Sequence, residues 1–211
     1  MSVSPSKENI LKKIRKALSH STPLPFPGSE GNAAVFHPSH QELEVEFAEQ
    51  FTKLLGRFIY CINRQEMAFQ LNSLIQKQNW QKVYCLENNL CEMIGPQVAD
   101  RLTKNDLANC DVAITGCEYL VARTGSIVLS AAQPGGRTTS VYTPIHICIA
   151  YTNQLVYDLK DALQSVKDKY GNNLPSLITF ATGPSRTADI EKTLVVGVHG
   201  PKEVYCFLVE A

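Results

Sequence analysis

The segment from residue 181 to residue 202 combines glycines, hydroxyl groups, a histidine and basic side chains that together could bind an anion. Gly183-Pro184 follows an apolar, β-prone run and should break the chain where that strand ends. A helix is expected to begin near Ser185, where free N–H groups and the helix dipole attract an anion. Arg186 can form a bidentate hydrogen bond to a carboxylate or phosphate. The alternative is structural, with Ser185 capping the helix and Arg186 pairing with an acidic neighbour. The ligand-binding candidates in this segment are Gly183, Ser185, Arg186 and Thr187.

Two further loops have a composition suited to ligand binding. The first supplies Thr124, Gly125 and Ser126, and the second supplies Gly135, Gly136 and Arg137. Glycines let backbone N–H groups approach a ligand closely, hydroxyls donate, and an arginine neutralises charge. Glycine-rich hairpin turns would have the same composition, and neither loop matches a nucleotide-binding glycine pattern.

These loops could meet at one site. In open α/β sheets, ligands collect at the carboxyl ends of strands. The loops near Thr115, Arg137 and Ser185 are therefore predicted to form a single crevice, in which Arg137 and Arg186 converge on a small carboxylate or phosphate.

His199 lies in the run Gly197-Val-His-Gly-Pro201, where a turn could expose an imidazole that exchanges protons near neutral pH. The alternative is a histidine that bonds the backbone of a tight turn. Three further histidines, His37, His40 and His146, lack the spacing of zinc ligands. We therefore expect no metal site.

The composition excludes several classes of partner. Lys+Arg and Asp+Glu both total 20, so the charge balance does not favour nucleic acid or an anionic membrane as a partner. No apolar run has the length of a transmembrane segment, and the N-terminus is polar, so we expect a soluble cytoplasmic protein with no integral membrane segment.

The seven cysteines are predicted to be buried, reduced thiols. They are Cys61, Cys85, Cys91, Cys110, Cys117, Cys148 and Cys206. Iron–sulfur ligation favours close Cys-x-x-Cys runs, and none occurs here. We expect no cofactor in this chain.

The chain should consist of an N-terminal appendage, residues 1–40, and one α/β domain, residues 41–211. Helical spacing of apolar residues from Lys7 to Leu18 predicts a basic amphipathic helix, and a proline-rich arm follows from His20 to Ser39.

From residue 41 onward, helices and strands alternate, which predicts a mixed, mainly parallel sheet with flanking helices. The predicted helices are 41–55, 67–75, 90–102 and 155–166. The predicted strands are 58–62, 83–86, 111–115, 119–122, 126–131, 145–150, 176–181 and 204–209. The strands after Gly116 are separated by turns instead of helices, so some of them should pair antiparallel.

Two linked runs resemble the signature of the LUD domain, the lactate-utilization protein C family. They are Gly-Pro-Ser-Arg-Thr-Ala-Asp-Ile-Glu from Gly183 to Glu191 and the Gly197–Pro201 run. The block from Ile114 to Pro144 is similar to the family's central segment, and the likeness extends from about Asp111 to the C-terminus. The resemblance implies the fold shared by ribose-5-phosphate isomerase, glucosamine-6-phosphate deaminase and CoA transferases.

One position departs from the family's pattern. Relatives often carry a glutamate immediately before the Thr/Ser-Gly pair, whereas this chain has Arg123 there. Glu118 stands nearby in sequence and could replace that glutamate as a catalytic residue. The alternative is an exposed glutamate at a turn.

The resemblance implies a component of a bacterial system that oxidises L-lactate to pyruvate with iron–sulfur clusters held by partner oxidoreductase subunits. A second hypothesis is a small-carboxylate binding or regulatory module without catalysis. A third, a stand-alone isomerase or acyl-transfer enzyme, rests on analogy of fold alone.

Overall fold

The computed structural model describes residues 5–19, 39, 41–95, 98–190 and 193–211. The chain divides into two compact units, residues 1–37 and 38–211. In the first unit, helix α1 spans Pro5–Leu18, as its spacing predicts, and exposes Ile10, Leu11 and Ile14. Nearly all of the predicted proline-rich arm, including His37, lies outside the described residues, as does His40.

The second unit contains the remaining helices and all the strands of the described chain. The helices are α2 Leu43–Lys53, α3 Arg64–Lys77, α4 Asn88–Ile94, α5 Thr139–Tyr142 and α6 Leu159–Tyr170. The strands are β1 Arg57–Cys61, β2 Val83–Cys85, β3 Leu102–Thr103, β4 Val112–Thr115, β5 Tyr119–Val121, β6 Ser126–Ser130, β7 Ile145–Tyr151, β8 Leu155–Val156, β9 Ile178–Ala181, β10 Arg186–Ile190, β11 Thr193–Val196 and β12 Glu203–Val209.

The strands form two sheets and a ribbon. Six strands build a sheet in the order β1-β12-β7-β4-β2-β3, and every pair in it is parallel. Four strands build a second sheet in the order β8-β5-β6-β9, in which β6 runs antiparallel to both neighbours. β10 and β11 form a separate antiparallel ribbon. The α/β class with a mixed, mainly parallel set of strands is confirmed.

The core has two main layers, one on each face of the parallel sheet. On one face, α3 and α4 pack their apolar residues, including Met67, Leu71 and Ile94, against the sheet. On the other face, the second sheet and α2 cover the parallel sheet, and Phe47 and Phe51 of α2 are fully buried there. α6 packs on the outer face of the second sheet. The two sheets therefore enclose an apolar layer in which a polar side chain needs a specific partner.

Three predicted boundaries are wrong, two of them for a local reason. The four-residue repeat from Leu90 to Leu102 predicts one helix, but α4 ends at Ile94 because Gly95 adopts a φ of 83° before a proline. Leu155 lies in β8, and α6 begins only after the capping residue Asp158.

The third correction concerns the predicted helix start at Ser185. The chain from Arg186 onward forms β10, which pairs Arg186 with Val196 and Thr187 with Val195. No helix N-terminus is present at that point, so the dipole argument for an anion does not apply. In the part of the chain that the structure describes, no helix combines the length and apolarity needed to cross a bilayer.

Candidate functional site

A cavity of about 180 Å³ lies between the two sheets. The parallel sheet contributes His146 and Val204 to its wall, and β9 contributes Thr179 and Ala181. Other lining residues, from α5 and two turns, include Ser140, Gly183, Ser185, His199 and Gly200. The volume is below the roughly 300–1,000 Å³ of pockets for drug-sized ligands, so this cavity suits a smaller molecule.

Backbone hydrogen bonds hold the two signature runs together beside this cavity. The Ser185 N–H donates to the Pro201 carbonyl at 2.9 Å, and the Gly197 N–H donates to the Ser185 carbonyl at 2.9 Å. A Cβ at Gly200 would lie 2.8 Å from the Ser185 Cβ, so the close approach of the two runs requires glycine. The runs that are separated in sequence therefore form one structural unit.

An outer groove of about 480 Å³ adjoins the cavity and shares His199 and Gly200 with it. Lys202 also lines the groove and is the lysine or arginine that the described structure places there. Among the described residues, no carboxylate lines either the cavity or the groove. This distribution of charge favours an anion over a cation.

A smaller cavity of about 10 Å³, enough for roughly one water molecule, lies at the carboxyl ends of β2 and β4. Its wall includes Glu87, Thr115, Gly135 and Gly136. Glu87 Oε1 accepts a hydrogen bond from the Gly116 N–H at 2.7 Å. Burial raises the pKa of the Glu87 carboxyl group, although the bond from Gly116 opposes that effect.

The two cavities are linked by one buried hydrogen bond. Thr115 Oγ1 lies 2.8 Å from His146 Nε2, and Ser140 of α5 lines both cavities. Burial lowers the pKa of His146 to about 4, so its imidazole is neutral near pH 7. His146 therefore offers one hydrogen-bond donor and one acceptor, but no positive charge.

The predicted site residues separate into several places. Gly183, Ser185 and His199 lie in the wall of the 180 Å³ cavity, whereas Gly135 and Gly136 lie in the wall of the smaller cavity. Thr187 pairs with Val195 in the β10–β11 ribbon.

The structure does not bring Arg137 and Arg186 together. Arg137 donates to Ser176 Oγ at 2.6 Å, before the first residue of β9, whereas Arg186 donates to the Leu54 carbonyl at the end of α2. Gly183, beyond the last residue of β9, packs against the same Leu54. The two guanidinium groups are therefore held by partners at opposite ends of β9, and neither lines the cavity.

The loop of Thr124, Gly125 and Ser126 packs against α2. A Cβ at Gly125 would lie 2.6 Å from the Phe51 nitrogen. Ser126 Oγ lies 2.8 Å from both the Thr124 hydroxyl and the Thr182 hydroxyl, and these three side chains satisfy one another. Gly125 allows α2 to pack closely against this loop. The loop lines neither cavity.

Glu118 is buried, with 3% of its surface exposed, so the alternative of an exposed turn residue is wrong. Its carboxylate accepts hydrogen bonds from Ser130 at 2.6 Å, Tyr170 at 2.7 Å and Lys169 at 2.7 Å. Burial acts to raise the pKa of Glu118, but these three bonds outweigh it and hold the pKa below its usual range. Glu118 lines neither cavity, so this geometry favours a structural role.

The sequence analysis did not select His146 as a site residue. In β7, side chains alternate between faces, so His146 shares a face with the fully buried Cys148 and Ala150. A histidine on the inward face of a buried strand is the signal that could have identified it. Among the described residues, no group of three or more His, Cys, Asp or Glu side chains is arranged to hold a metal ion.

Comparison with known proteins places these features in a family. The LUD domain description matches residues 43–209. Lactate utilization protein C of Halalkalibacterium halodurans is 39% identical over 101 residues, which cover 47% of this chain and 44% of that protein. Lactate utilization protein C of Bacillus subtilis is 36% identical over 112 residues, which cover 52% and 46%. An uncharacterized protein of Neisseria meningitidis is 33% identical over 96 residues, which cover 46% and 41%. The chain thus spans a little under half the length of these curated relatives.

A crystal structure of a DUF162 family protein from Deinococcus radiodurans has the same fold, with a TM-score of 0.61 at 18% identity. The match covers 80% of this chain and 96% of that one. Because the LUD description matches well over half of the chain, from the first residue of α2 to the last residue of β12, the protein belongs to the LUD domain family.

Proposed function

We propose that this chain is a component of a lactate-utilization system that works with redox partner subunits and binds a small carboxylate or phosphate itself. In this proposal, iron–sulfur clusters in the partner subunits accept the two electrons released when L-lactate becomes pyruvate, and two protons are released. The name of the relatives in Halalkalibacterium halodurans and Bacillus subtilis supports a lactate-utilization role. The absence of Cys-x-x-Cys runs supports placing the clusters in the partners.

One observation carries the ligand part of the proposal. The two signature runs converge on a cavity of about 180 Å³ that no carboxylate lines in the described structure. Lys202 in the adjoining groove supplies a positive charge, and Ser185 supplies a hydroxyl donor. A small anion could therefore be bound by charge and hydrogen bonds without Arg137 or Arg186.

Reconstitution tests the lactate-utilization role. The rate of lactate-dependent reduction of an artificial electron acceptor is measured with the two candidate iron–sulfur subunits alone and with this chain added. We expect a higher rate in the complete mixture and no dehydrogenase activity from this chain alone. An unrelated protein of similar size serves as the control for stabilisation by added protein. Equal rates with and without this chain would contradict the role.

A second candidate function is a carboxylate-binding or regulatory module without catalysis. It is favoured by the position of Glu118, because the candidate base is fully engaged by three donors and lies away from the cavity. A binding module would respond to the ligand through contacts at the cavity and would give no turnover. The rate of the reconstituted system would then not depend on a catalytic group in the cavity. A change of a cavity residue would lower the affinity for the ligand.

Calorimetric titration with lactate, pyruvate and a sugar phosphate separates the sites. Lys202→Met should weaken binding about tenfold or more, because it removes a charged hydrogen-bond donor. Arg137→Ala and Arg186→Ala are the matched controls, and each should leave affinity within about twofold because both guanidinium groups bind elsewhere. Loss of affinity in an arginine variant, with Lys202→Met unchanged, would move the site away from this cavity.

A further inference from the structure

His146 combines nearly complete burial with an incompletely used hydrogen-bonding capacity. Its exposed fraction is 1%, and it lies between the two sheets on the same face of β7 as Cys148. The hydroxyl of Thr115 lies 2.8 Å from Nε2. Among the described residues, the Thr115 hydroxyl is the hydrogen-bond partner of the imidazole, and it engages Nε2 and not Nδ1.

Polar side-chain atoms in the wall of a cavity are usually hydrogen-bonded to the protein, to water or to a ligand. The ring is part of the wall of the 180 Å³ cavity, so a molecule in that cavity can reach it. Thr115 occupies Nε2 and thereby leaves Nδ1 as the nitrogen available to that molecule. A bound ligand or an ordered water would complete the hydrogen bonding of the ring.

The neutral state of the ring restricts what it can recognise. Burial lowers the pKa of His146 to about 4, so near pH 7 the ring does not act as a cationic clamp for a carboxylate. If the Thr115 hydroxyl donates to Nε2, then Nδ1 carries the proton and donates; in the other tautomer, Nδ1 accepts. A hydroxyl or carbonyl oxygen on the ligand suits this nitrogen, because the former can donate or accept and the latter can accept.

The rest of the cavity supplies complementary chemistry. Ala181 and Val204 provide an apolar surface beside His146 that would fit a small alkyl group. Ser185 and His199 lie on the side of the turn, and His199 is shared with the groove that holds Lys202. A carboxylate placed toward the turn would leave its C2 substituents near His146 and the apolar wall.

We propose that His146 Nδ1 binds the C2 oxygen of a small 2-hydroxy or 2-oxo monocarboxylate in the inter-sheet cavity. Thr115 acts as a positioning residue that engages Nε2 and leaves Nδ1 for the ligand. This proposal rests on the carboxylate-binding part of the proposed function. It adds the contact that would distinguish such acids from a carboxylic acid without an oxygen at C2. It is independent of whether partner subunits oxidise the ligand.

Selectivity between acids with and without a C2 oxygen is the test. The full chain is titrated at pH 7 with L-lactate, pyruvate and propionate, which lacks the C2 oxygen. We expect wild type to prefer at least one of the first two acids over propionate by about fivefold to tenfold, the ratio expected for one hydrogen bond. His146→Ala should reduce this ratio to about one. Lys202→Met should weaken all three acids similarly and preserve the ratio.

An NMR measurement on the unaltered protein covers the case in which His146→Ala does not fold. With ¹⁵N-labelled histidine, the Nδ1 resonance of His146 should shift when lactate is added, and propionate should shift it less. Thr115→Val should change the tautomer populations of the free protein, because it removes the partner of Nε2. A spectroscopic change of this kind would not arise from a loss of stability alone.

Two results would overturn the proposal. One is equal affinity of wild type for lactate, pyruvate and propionate with an unchanged Nδ1 resonance, which would indicate that only water meets His146. The other is binding of none of these acids. Either result leaves the reconstitution experiment able to succeed, so failure of the His146 contact and failure of the lactate-utilization role are distinguishable.

Discussion

Glu118 is a buried carboxylate whose charge is stabilised by three donors from β6 and the end of α6. Burial alone would raise its pKa, but the bonds from Lys169, Ser130 and Tyr170 outweigh that effect, and the net pKa is lowered. The pKa of the folded state is therefore below that of the unfolded state. The resulting stabilisation is present above the unfolded value, near 4.5, and is lost as the pH falls through the folded value.

Glu118→Gln should remove this pH dependence. At pH 7, the free energy of unfolding should fall by about 1–3 kcal/mol, because the charge-assisted bonds are replaced by weaker neutral ones. The difference from wild type should shrink as the pH falls below 4.5 and through the lowered pKa of the wild-type carboxylate. Urea unfolding at several pH values from 7 downward measures both effects.

Glu49→Gln is the control for the loss of one negative charge. Glu49 pairs with Lys53 at 3.8 Å, and about half of the Glu49 side chain is exposed. An exposed pair of this kind contributes less than about 0.5 kcal/mol. If both variants lost the same small amount at pH 7, Glu118 would not be an important stabilising residue.

At the scale of elements, the end of α2 organises two loops from the second half of the chain. Gly125 and Gly183 approach the backbone of this helix so closely that neither position has room for a Cβ. Arg186 donates to the Leu54 carbonyl, which is one of the acceptors left open where α2 ends. α2 is therefore an integral part of the α/β unit.

Gly183→Ala and Gly125→Ala should each lower the free energy of unfolding by more than the conformational penalty of a left-handed alanine alone. Their φ values are 78° and 59°, and an added Cβ would lie 2.6 Å from the Leu54 carbonyl oxygen after α2 and from the Phe51 nitrogen within α2, respectively. We expect a loss of about 2–5 kcal/mol, which combines left-handed strain with overpacking. Chemical unfolding followed by circular dichroism gives the values.

Gly136→Ala separates these two contributions. Gly136 has a φ of 55°, but a Cβ there meets nothing within 4 Å. It should cost only the conformational penalty of about 1–2 kcal/mol. Equal losses at all three positions would contradict the importance of the α2 contacts.

Short apolar runs that alternate with helical stripes predicted most of the elements, because strands buried on both faces appear as continuous apolar runs. Pairing was harder to predict. The start of β10 resembles a helix start in sequence because Gly183-Pro184 followed by Ser185 and Arg186 matches the local pattern of a helix cap. Its strand conformation depends on the pairing of Arg186 with Val196, which local propensity does not encode.

The site was predictable only in part, for the same reason. The signature runs pointed to Gly183, Ser185 and His199, which do meet at one cavity. The two arginines were expected to bind an anion because of their chemistry, but backbone and hydroxyl acceptors elsewhere in the fold engage them. His146 was missed because its environment comes from a second sheet that is distant in sequence.

At the scale of the whole molecule, the thiols are distributed through the core. All seven cysteines are free, and Cys91 is the one that is only partly buried. Burial raises the pKa of Cys61 to about 11, and a hydrogen bond with Cys148 together with burial raises the pKa of Cys117. These thiols should be protonated and inaccessible at neutral pH.

Labelling with a chromogenic disulfide reagent at pH 8 should therefore show one rapidly reacting thiol, Cys91, in the native protein. In denaturant, all seven thiols should react. Cys91→Ser should abolish the fast phase. The number of thiols that react after unfolding should fall by one, because the variant lacks that cysteine. Cys148→Ser is the matched control and should leave the fast phase intact. Rapid reaction of several thiols in the native state would contradict the packing of the two main layers.

Independent folding of residues 38–211 is a further prediction at this scale. All residues of the described core clusters lie at or after Leu43, so a chain without residues 1–37 retains every residue of those clusters. We expect its thermal midpoint to lie within a few degrees of the full chain. A chain that begins at Arg57 loses Phe47 and Phe51 and should fail to unfold cooperatively.

The turn that follows β11 has a consequence for how fast a ligand can enter or leave. Its backbone is held by bonds from the Ser185 N–H to Pro201, from the Gly197 N–H to Ser185, and from the Lys202 N–H to Pro144. Release of the turn would expose these three amides while both sheets stay intact. Deuterium uptake at these amides should therefore report the opening frequency of the cavity, and a saturating ligand should slow that uptake far more than uptake in the strands.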